Sequence, residues 1–152
     1  KTMGYNFDLV LAGVDPLNNW SRYQKIANDL NIKDNVHYVN FLMPEELNKF
    51  YNSAICLLYP STSETFGIPP LEAMACGTPV IGSDKSAVPE VIGGGGIALD
   101  IQDIDNICNE ITSLFIDETY RNKIVNKGYE RIKQFSWQSS IISLRRILNE
   151  DV

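Results

Sequence analysis

The sequence predicts a doubly wound α/β fold built around a mostly parallel sheet. Short apolar runs rich in strand-forming residues alternate with helical segments along most of the chain. The repeat of roughly 20–30 residues gives room for the right-handed crossovers that join parallel strands. A length of 152 residues fits one domain with its own core, so we assign residues 1–152 to a single domain.

The expected strands are short, and the first, residues 7–13 (FDLVLAG), is typical of a buried parallel strand closed by glycine. Four more are expected at residues 36–41, 54–59, 79–82 and 97–99. Helices are expected at about 18–30, from Pro44, from near Ile68 to Gly77, and at 88–92. The glycine run 93–96 is expected to form a turn, and residues 118–152 are expected to form the C-terminal helices.

Composition excludes several classes of function. The net charge of -6 argues against nonspecific binding to nucleic acid or anionic lipid. No apolar run reaches the ~18–20 residues of a membrane span, and no secretory signal opens the chain. The chain has three cysteines, Cys56, Cys76 and Cys108, which lie far apart and form no CxxC pair. This pattern predicts reduced core thiols in a cytosolic protein.

Other single residues favour structural roles. His37 is the only histidine and has no metal-ligand partners nearby in sequence, which excludes a His-based catalytic triad. We expect Trp20 and Trp137 to be buried or half-buried anchors. We expect Tyr59 and Phe66 to pack against other side chains of the protein rather than to stack on the base of a nucleotide.

The chemistry concentrates after the third expected strand, where residues 61–67 turn into a helix near Ile68. Ligands of open α/β sheets bind beyond the carboxyl ends of the strands, and a helix N-terminus offers unpaired N–H groups to anions such as phosphate. Pro69 and Pro70 have no N–H and suit a first helical turn. The remaining donors are the backbone groups of Thr65, Phe66, Gly67 and Ile68.

Two carboxylates flank this turn, Glu64 just before it and Glu72 eight positions later, about one turn inside the helix. Carboxylates only accept hydrogen bonds, so they suit sugar hydroxyls better than phosphate. A diphosphate with a hydroxyl-rich ring at each end is a nucleotide-sugar. We therefore hypothesise that Glu72 binds the ribose and Glu64 the other sugar. Each acid has a simpler explanation as a solvated charge on or near a helix.

The run SETFGIPPLEAMACGTPVIGSD resembles the E-x7-E signature of the retaining GT-B glycosyltransferases of family 4, the glycosyl transferases group 1. The flanking segments 35–47, 88–92, 96–100 and 135–137 resemble the same family, so the resemblance covers nearly the whole chain. It implies the nucleotide-sugar-binding C-terminal half of a two-domain enzyme, which transfers a sugar with retention of anomeric configuration and without an essential metal or other cofactor.

The resemblance also implies roles for particular residues. Glu64 contacts the donor sugar and is the catalytic candidate, although no nucleophile can be assigned. The donor-binding set implied by the motif and the second strand is Glu64, Thr65, Phe66, Gly67, Ile68, Leu71, Glu72, Phe41 and Leu42.

The chain departs from the family pattern in several ways. Thr65 stands where glycine is common, which stiffens the turn. The strand and helix that usually open this domain, with an Arg and a Lys aimed at the diphosphate, are not found before Lys1. The family's N-terminal domain, which binds a sugar or glycolipid acceptor, is also outside the sequence. We expect the chain alone to transfer no sugar, and the full-length enzyme to be cytoplasmic, with no nucleic-acid partner, and compatible with peripheral membrane association.

Two alternatives stay open. A GT-B relative that binds a nucleotide-sugar for other chemistry, such as epimerisation, would need an acid and a base on nearby loops, and only Glu64 offers itself. A noncatalytic interaction module would tolerate replacement of Glu64 and Glu72 without loss of a ligand.

Overall fold

The computed structural model describes residues 4–150, without the side chains of residues 149 and 150, and the chain divides into two compact units after Leu47. The strands in this part of the chain are Leu9–Ala12 (β1), Val36–Val39 (β2), Leu57–Tyr59 (β3), Val80–Ser83 (β4) and Ile97–Leu99 (β5). The α-helices are Trp20–Asp29 (α1), Pro44–Ser53 (α2), Ile68–Ala75 (α3), Val88–Ile92 (α4), Ile104–Ile116 (α5), Glu118–Ile132 (α6) and Trp137–Glu150 (α7).

The first unit contains a two-stranded parallel sheet, in which Leu9 of β1 lies opposite Val36 of β2. The parallel pairing confirms the sequence prediction, but the expected burial of β1 is wrong. Leu9 is 43% exposed and Val10 is 38% exposed. The reason is that this small sheet has two strands and one packed helix, α1, which cannot cover the apolar side chains on both of its faces.

Polar and aromatic contacts fix α1 within the first unit. The Asp15 carboxylate accepts a hydrogen bond of 2.7 Å from the N–H of Trp20, the first residue of α1. The helix N-terminus favours such a negative charge, and hydrogen bonds from Asn19 and Trp20 lower the pKa of Asp15. Trp20 stacks on Tyr38 of β2 with ring centroids 5.3 Å apart, as expected for a half-buried anchor.

The second unit contains the sheet that carries the candidate site. Its strands are parallel in the order β3–β4–β5, with Leu57 opposite Val80 and Ile81 opposite Ile97. All four residues of the central strand β4 are buried, as a parallel strand covered on both faces requires. Ile81 packs with Leu114 and Ile124 in the core of this unit. The alternating parallel architecture predicted from the sequence is confirmed here.

The glycine run after α4 is a close-packing site for α6. Gly93–Gly95 forms a 3₁₀ turn, which confirms the predicted turn. A Cβ atom on Gly95 would lie 2.5 Å from Arg131 Cβ and 3.1 Å from the carbonyl oxygen of Lys127. Arg131 crosses this turn and donates a hydrogen bond of 3.1 Å from Nε to the carbonyl oxygen of Val91, near the end of α4. Glycine is required because α6 approaches the turn too closely for any side chain.

The C-terminal helix α7 forms at the predicted place, capped by Ser136, whose Oγ accepts the N–H of Ser139 at 3.0 Å. The expectation that Trp137 is a buried anchor is wrong, because its side chain is 81% exposed. Its apolar neighbours on α7 are also exposed, namely Ile141, Ile142, Leu144, Ile147 and Leu148. Within residues 4–150, no element covers this face of α7. The spacing of apolar residues in this segment therefore predicts the helix correctly but does not predict whether the helix is buried.

The cysteines are free, as expected, but not all lie in the core. Burial raises the pKa of the Cys56 thiol to about 11, which keeps it protonated and unreactive at neutral pH. Cys76 is half-buried, whereas Cys108 is exposed on α5, so the prediction of a core thiol is wrong for Cys108.

None of the helices within residues 4–150 combines the length and the apolarity needed to cross a membrane.

Candidate functional site

The turn between β3 and α3 presents unpaired backbone donors. Gly67 is the residue before α3 and adopts a left-handed conformation, with φ 90° and ψ 79°. The N–H groups that lack a helical partner are those of Gly67, Ile68 and the next two residues. Because Pro69 and Pro70 have none, Gly67 and Ile68 supply the free donors. Within residues 4–150 neither N–H donates to a protein group. Thr65 and Phe66 precede the helix, and their N–H groups likewise donate to no protein group within residues 4–150. The four backbone groups predicted as donors are therefore all without a protein acceptor there, and their binding of a diphosphate stays a prediction.

The carboxylate of Glu64 is held against the base of this turn. Tyr59, the last residue of β3, donates a hydrogen bond of 2.6 Å from its hydroxyl to Glu64 Oε1. This bond, followed by one from Ser61, lowers the pKa of the Glu64 carboxyl, so the group is ionised at neutral pH. Burial and the same carboxylate raise the pKa of Tyr59 to about 12. Tyr59 also packs under Gly67, where an added Cβ would lie 3.5 Å from the Tyr59 ring.

The backbone of Glu64 is held by Ser86, which lies in the loop between β4 and α4. The Glu64 N–H donates to Ser86 Oγ at 2.9 Å, and the Ser86 hydroxyl donates to the Glu64 carbonyl oxygen at 2.7 Å. One hydroxyl therefore fixes both polar groups of the Glu64 peptide backbone. The preceding residues of the loop, Asp84 and Lys85, form a solvated ion pair of 3.0 Å.

Glu72 lies on the exposed side of α3 and is held by a tyrosine of α2. The Tyr51 hydroxyl donates to Glu72 Oε2 at 3.2 Å. Tyr51 is only 7% exposed, and its carbonyl oxygen accepts a 2.6 Å hydrogen bond from the buried Thr78 hydroxyl. Burial, with the Glu72 charge adding to it, raises the pKa of Tyr51, so the phenol stays a hydrogen-bond donor at every physiological pH.

Aromatic contacts support the same turn from the C-terminal helices. Phe66 packs edge-on against Phe135, with ring centroids 5.8 Å apart. The Arg131 guanidinium lies 4.7 Å from the Phe135 ring centroid on the way to the α4 carbonyls. Phe66 thus has a packing partner, as does Tyr59, which agrees with the structural roles favoured for both. Leu71 is half-buried on α3.

The structure brings Glu64, Thr65, Phe66, Gly67, Ile68, Leu71 and Glu72 together on one turn and helix of the second unit. Phe41 and Leu42 belong to the first unit, where they follow β2; Phe41 is 70% exposed and Leu42 half-buried. The first unit also contains an apolar cavity of about 660 Å³ between β1, β2 and α1. The predicted site residues do not line it.

His37 lies 3.4 Å from the Asp8 carboxylate on the exposed surface of the first unit, which agrees with the structural role predicted for it. In the part of the chain that the structure describes, no three His, Cys, Asp or Glu side chains converge as metal ligands would. The metal independence implied by the resemblance stays a prediction.

Sequence reasoning missed two of the residues that shape this site. Tyr51 lies on the helix expected from Pro44, and its hydroxyl is the available signal, because a tyrosine needs a polar partner when it is buried. Ser86 gives no sequence signal, because its contact with Glu64 spans 22 positions and depends on the loop conformation.

Comparison with known proteins places the chain in a family. The sequence model of the glycosyl transferases group 1 matches residues 1–131. The chain is 38% identical over 104 residues to the O-antigen chain mannosyltransferase B of Escherichia coli, covering 68% of this chain and 27% of that protein. It is 32% identical over 135 residues to the D-inositol 3-phosphate glycosyltransferase of Corynebacterium jeikeium, covering 88% of this chain and 32% of that protein.

Among solved structures, the sucrose-phosphate synthase of Thermosynechococcus elongatus superimposes with a TM-score of 0.80 at 28% identity, over 95% of this chain and 39% of that one. The fold is therefore a Rossmann-like α/β domain of the GT-B class. The chain belongs to the glycosyl transferases group 1 family. It spans about a quarter to a third of the length of the two sequence relatives.

Proposed function

We propose that this chain is the donor-binding part of a retaining glycosyltransferase, which moves a sugar from a nucleotide-diphosphate sugar to an acceptor. The observation that carries the proposal is the turn before α3, where two free N–H groups lie between two positioned carboxylates. Family membership supports sugar transfer, and the names of the two sequence relatives describe glycosyl transfer.

The chemistry of each group fits one part of such a donor. The N–H groups of Gly67 and Ile68, at the positive end of α3, suit the diphosphate. Negative charge develops on the leaving diphosphate during transfer, so fixed donors there stabilise the transition state. Glu72 accepts from the ribose hydroxyls, and Glu64 accepts from hydroxyls of the sugar being transferred. The backbone groups of Thr65 and Phe66 are proposed to add donors to the same diphosphate, and Leu71 to belong to the donor-binding set. Phe41 and Leu42 are proposed to contact the base through their backbone.

Calorimetric titration of the natural protein that contains this chain tests the proposal. The ligands are UDP, GDP and ADP and their common sugar conjugates. One nucleotide should bind in the micromolar range, and Glu72→Gln should weaken it by about 1.5–3 kcal/mol, as for a hydrogen bond to a charged group. Glu118→Gln is the matched control, because Glu118 is an exposed acid in the first turn of α6. Equal affinities for all three proteins, or no binding by folded wild type, would reject the donor site.

Testing sugar transfer and the retention of anomeric configuration requires a reaction product. Proton NMR of the first glycoside obtained should show the anomeric configuration of the donor. An inverted product would contradict retention, and an epimerised nucleotide-sugar formed without an acceptor would favour the epimerase alternative. The acceptor, a sugar or a glycolipid, is proposed to be bound by a part of the enzyme outside this chain, without nucleic acid and without a metal cofactor.

A further inference from the structure

Ser86 adopts a backbone conformation that a serine rarely takes. Its φ is 59°, in the left-handed region where a side chain is strained and where glycine is the usual residue. It follows Asp84 and Lys85 in the short loop between β4 and α4. A glycine would make the same turn without strain, so the serine side chain must contribute something that glycine cannot. Strained residues of this kind persist where the surrounding structure fixes them, and they cluster at functional sites.

The loop that carries Ser86 is anchored on a rigid strand. The Asp84 N–H donates to the carbonyl oxygen of Leu99 at 2.9 Å, which extends the β4–β5 pairing past the end of β4. The Lys85 N–H donates to Oγ of the fully buried Ser83 at 3.1 Å. On the other side, α4 begins at Val88, which is also buried. The position of the Ser86 hydroxyl is therefore set by the core of the second unit.

Within residues 4–150, the hydroxyl of Ser86 makes its two hydrogen bonds to one residue, Glu64. It accepts from the Glu64 N–H and donates to the Glu64 carbonyl oxygen, at 2.9 and 2.7 Å. Glu64 opens the turn that leads to the free N–H groups of Gly67 and Ile68. Tyr59 then fixes the Glu64 carboxylate at 2.6 Å. Backbone and side chain of Glu64 are thus held by two different strand ends, those of β4 and β3.

We propose that Ser86 is a positioning residue. Its hydroxyl connects the turn that contains Glu64 to the loop after the rigid strand β4, and so orients Glu64 and the N–H donors of Gly67 and Ile68 toward the nucleotide-sugar. The inference rests on the proposed function for its ligand, but the contact between Ser86 and the turn does not. Serine at this position strains its own backbone, but its two hydrogen bonds fix the backbone of Glu64.

The proposal separates stability from function in two variants of the natural full-length protein. Ser86→Gly removes the two hydrogen bonds of the hydroxyl and relieves the backbone strain, so the two effects offset and its melting temperature should stay close to that of wild type. Ser86→Ala removes the hydroxyl and keeps the strain, so it should melt lower. Asn31→Gly is the control, because it relaxes a left-handed residue, φ 55°, in the first unit.

The first measurement needs no ligand. Hydrogen–deuterium exchange of peptides that cover residues 61–68 should be faster in both Ser86 variants than in wild type or Asn31→Gly. Unchanged exchange in both variants would overturn the proposal, whatever the protein binds.

The second measurement uses UDP, GDP and their glucose and mannose conjugates as probes. Both Ser86 variants should bind the preferred nucleotide-sugar roughly 5- to 30-fold more weakly, the loss expected from one or two hydrogen bonds. A Ser86→Gly protein of full stability with wild-type affinity would show that Ser86 serves only the loop. Failure of wild type to bind any probe would instead count against the proposed function, and hydrogen exchange would still decide the role of Ser86.

Discussion

Replacing Gly95 by alanine tests whether the glycine run after α4 exists for the close packing of α6. The new Cβ would lie 2.5 Å from Arg131 Cβ and 3.1 Å from the Lys127 carbonyl oxygen. Ordinary carbon contacts are about 3.5–4.0 Å, so α6 must move away by about 1 Å. Overpacking of this kind costs ~1–3 kcal/mol, and a shift of Arg131 that lengthens its hydrogen bond to Val91 adds ~0.5–1.5 kcal/mol. We expect Gly95→Ala to lower the free energy of unfolding by about 2–4 kcal/mol.

The matched control is one residue away. A Cβ on Gly94 meets no atom within 4 Å, and Gly94 does not lie in the left-handed region, so Gly94→Ala should change stability by less than ~0.5 kcal/mol. Urea unfolding followed by far-ultraviolet circular dichroism measures both variants. With a slope of roughly 1–3 kcal/mol per molar urea, the Gly95→Ala midpoint should fall by about 1–2 M. Equal midpoints for the two variants would refute the packing argument.

Two further predictions concern the tyrosines that hold the acids. Tyr51→Phe removes the hydroxyl that donates to Glu72 but keeps the buried ring, so the variant should stay folded and bind the preferred nucleotide roughly 3- to 10-fold more weakly. Wild-type affinity in calorimetry would contradict a role for Tyr51 in positioning Glu72. Tyr59→Phe removes the hydroxyl that lowers the pKa of Glu64 in the folded state. A lowered folded pKa stabilises the protein above the unfolded pKa and is lost as pH falls through the folded value. The melting temperature of Tyr59→Phe should therefore lie below that of wild type near pH 7, and the gap should close on acidification below about pH 4. A gap that is constant with pH would show that Tyr59 acts by packing alone.

Much of the fold follows from local sequence physics. The boundaries of α4 and β5 agree with the prediction because proline and glycine mark them closely. The buried strand β4 is predictable because a parallel strand covered on both faces must be apolar throughout. Burial of β1 and of Trp137 was predicted wrongly, since apolar character shows that a residue can be buried, whereas the neighbouring elements decide whether it is.

The candidate site was predictable to a different degree. The turn and its two acids follow from the spacing of residues along one short segment, so their proximity is local. The groups that position them are not local. Tyr51 reaches Glu72 across 21 positions and Ser86 reaches Glu64 across 22, and each contact depends on how strands and helices are assembled. The left-handed conformation of Ser86 could not be predicted from the sequence either, because glycine is the residue that indicates such a conformation and serine does not.

The most direct test is a crystal structure of the natural protein with the nucleotide that calorimetry selects. We expect diphosphate oxygens at hydrogen-bond distance, about 2.7–3.2 Å, from the backbone nitrogens of Gly67 and Ile68, and a ribose hydroxyl on the Glu72 carboxylate. Such density would establish the turn before α3 as the donor site. A nucleotide bound with its phosphates away from this turn, or with its ribose out of reach of Glu72, would contradict the account.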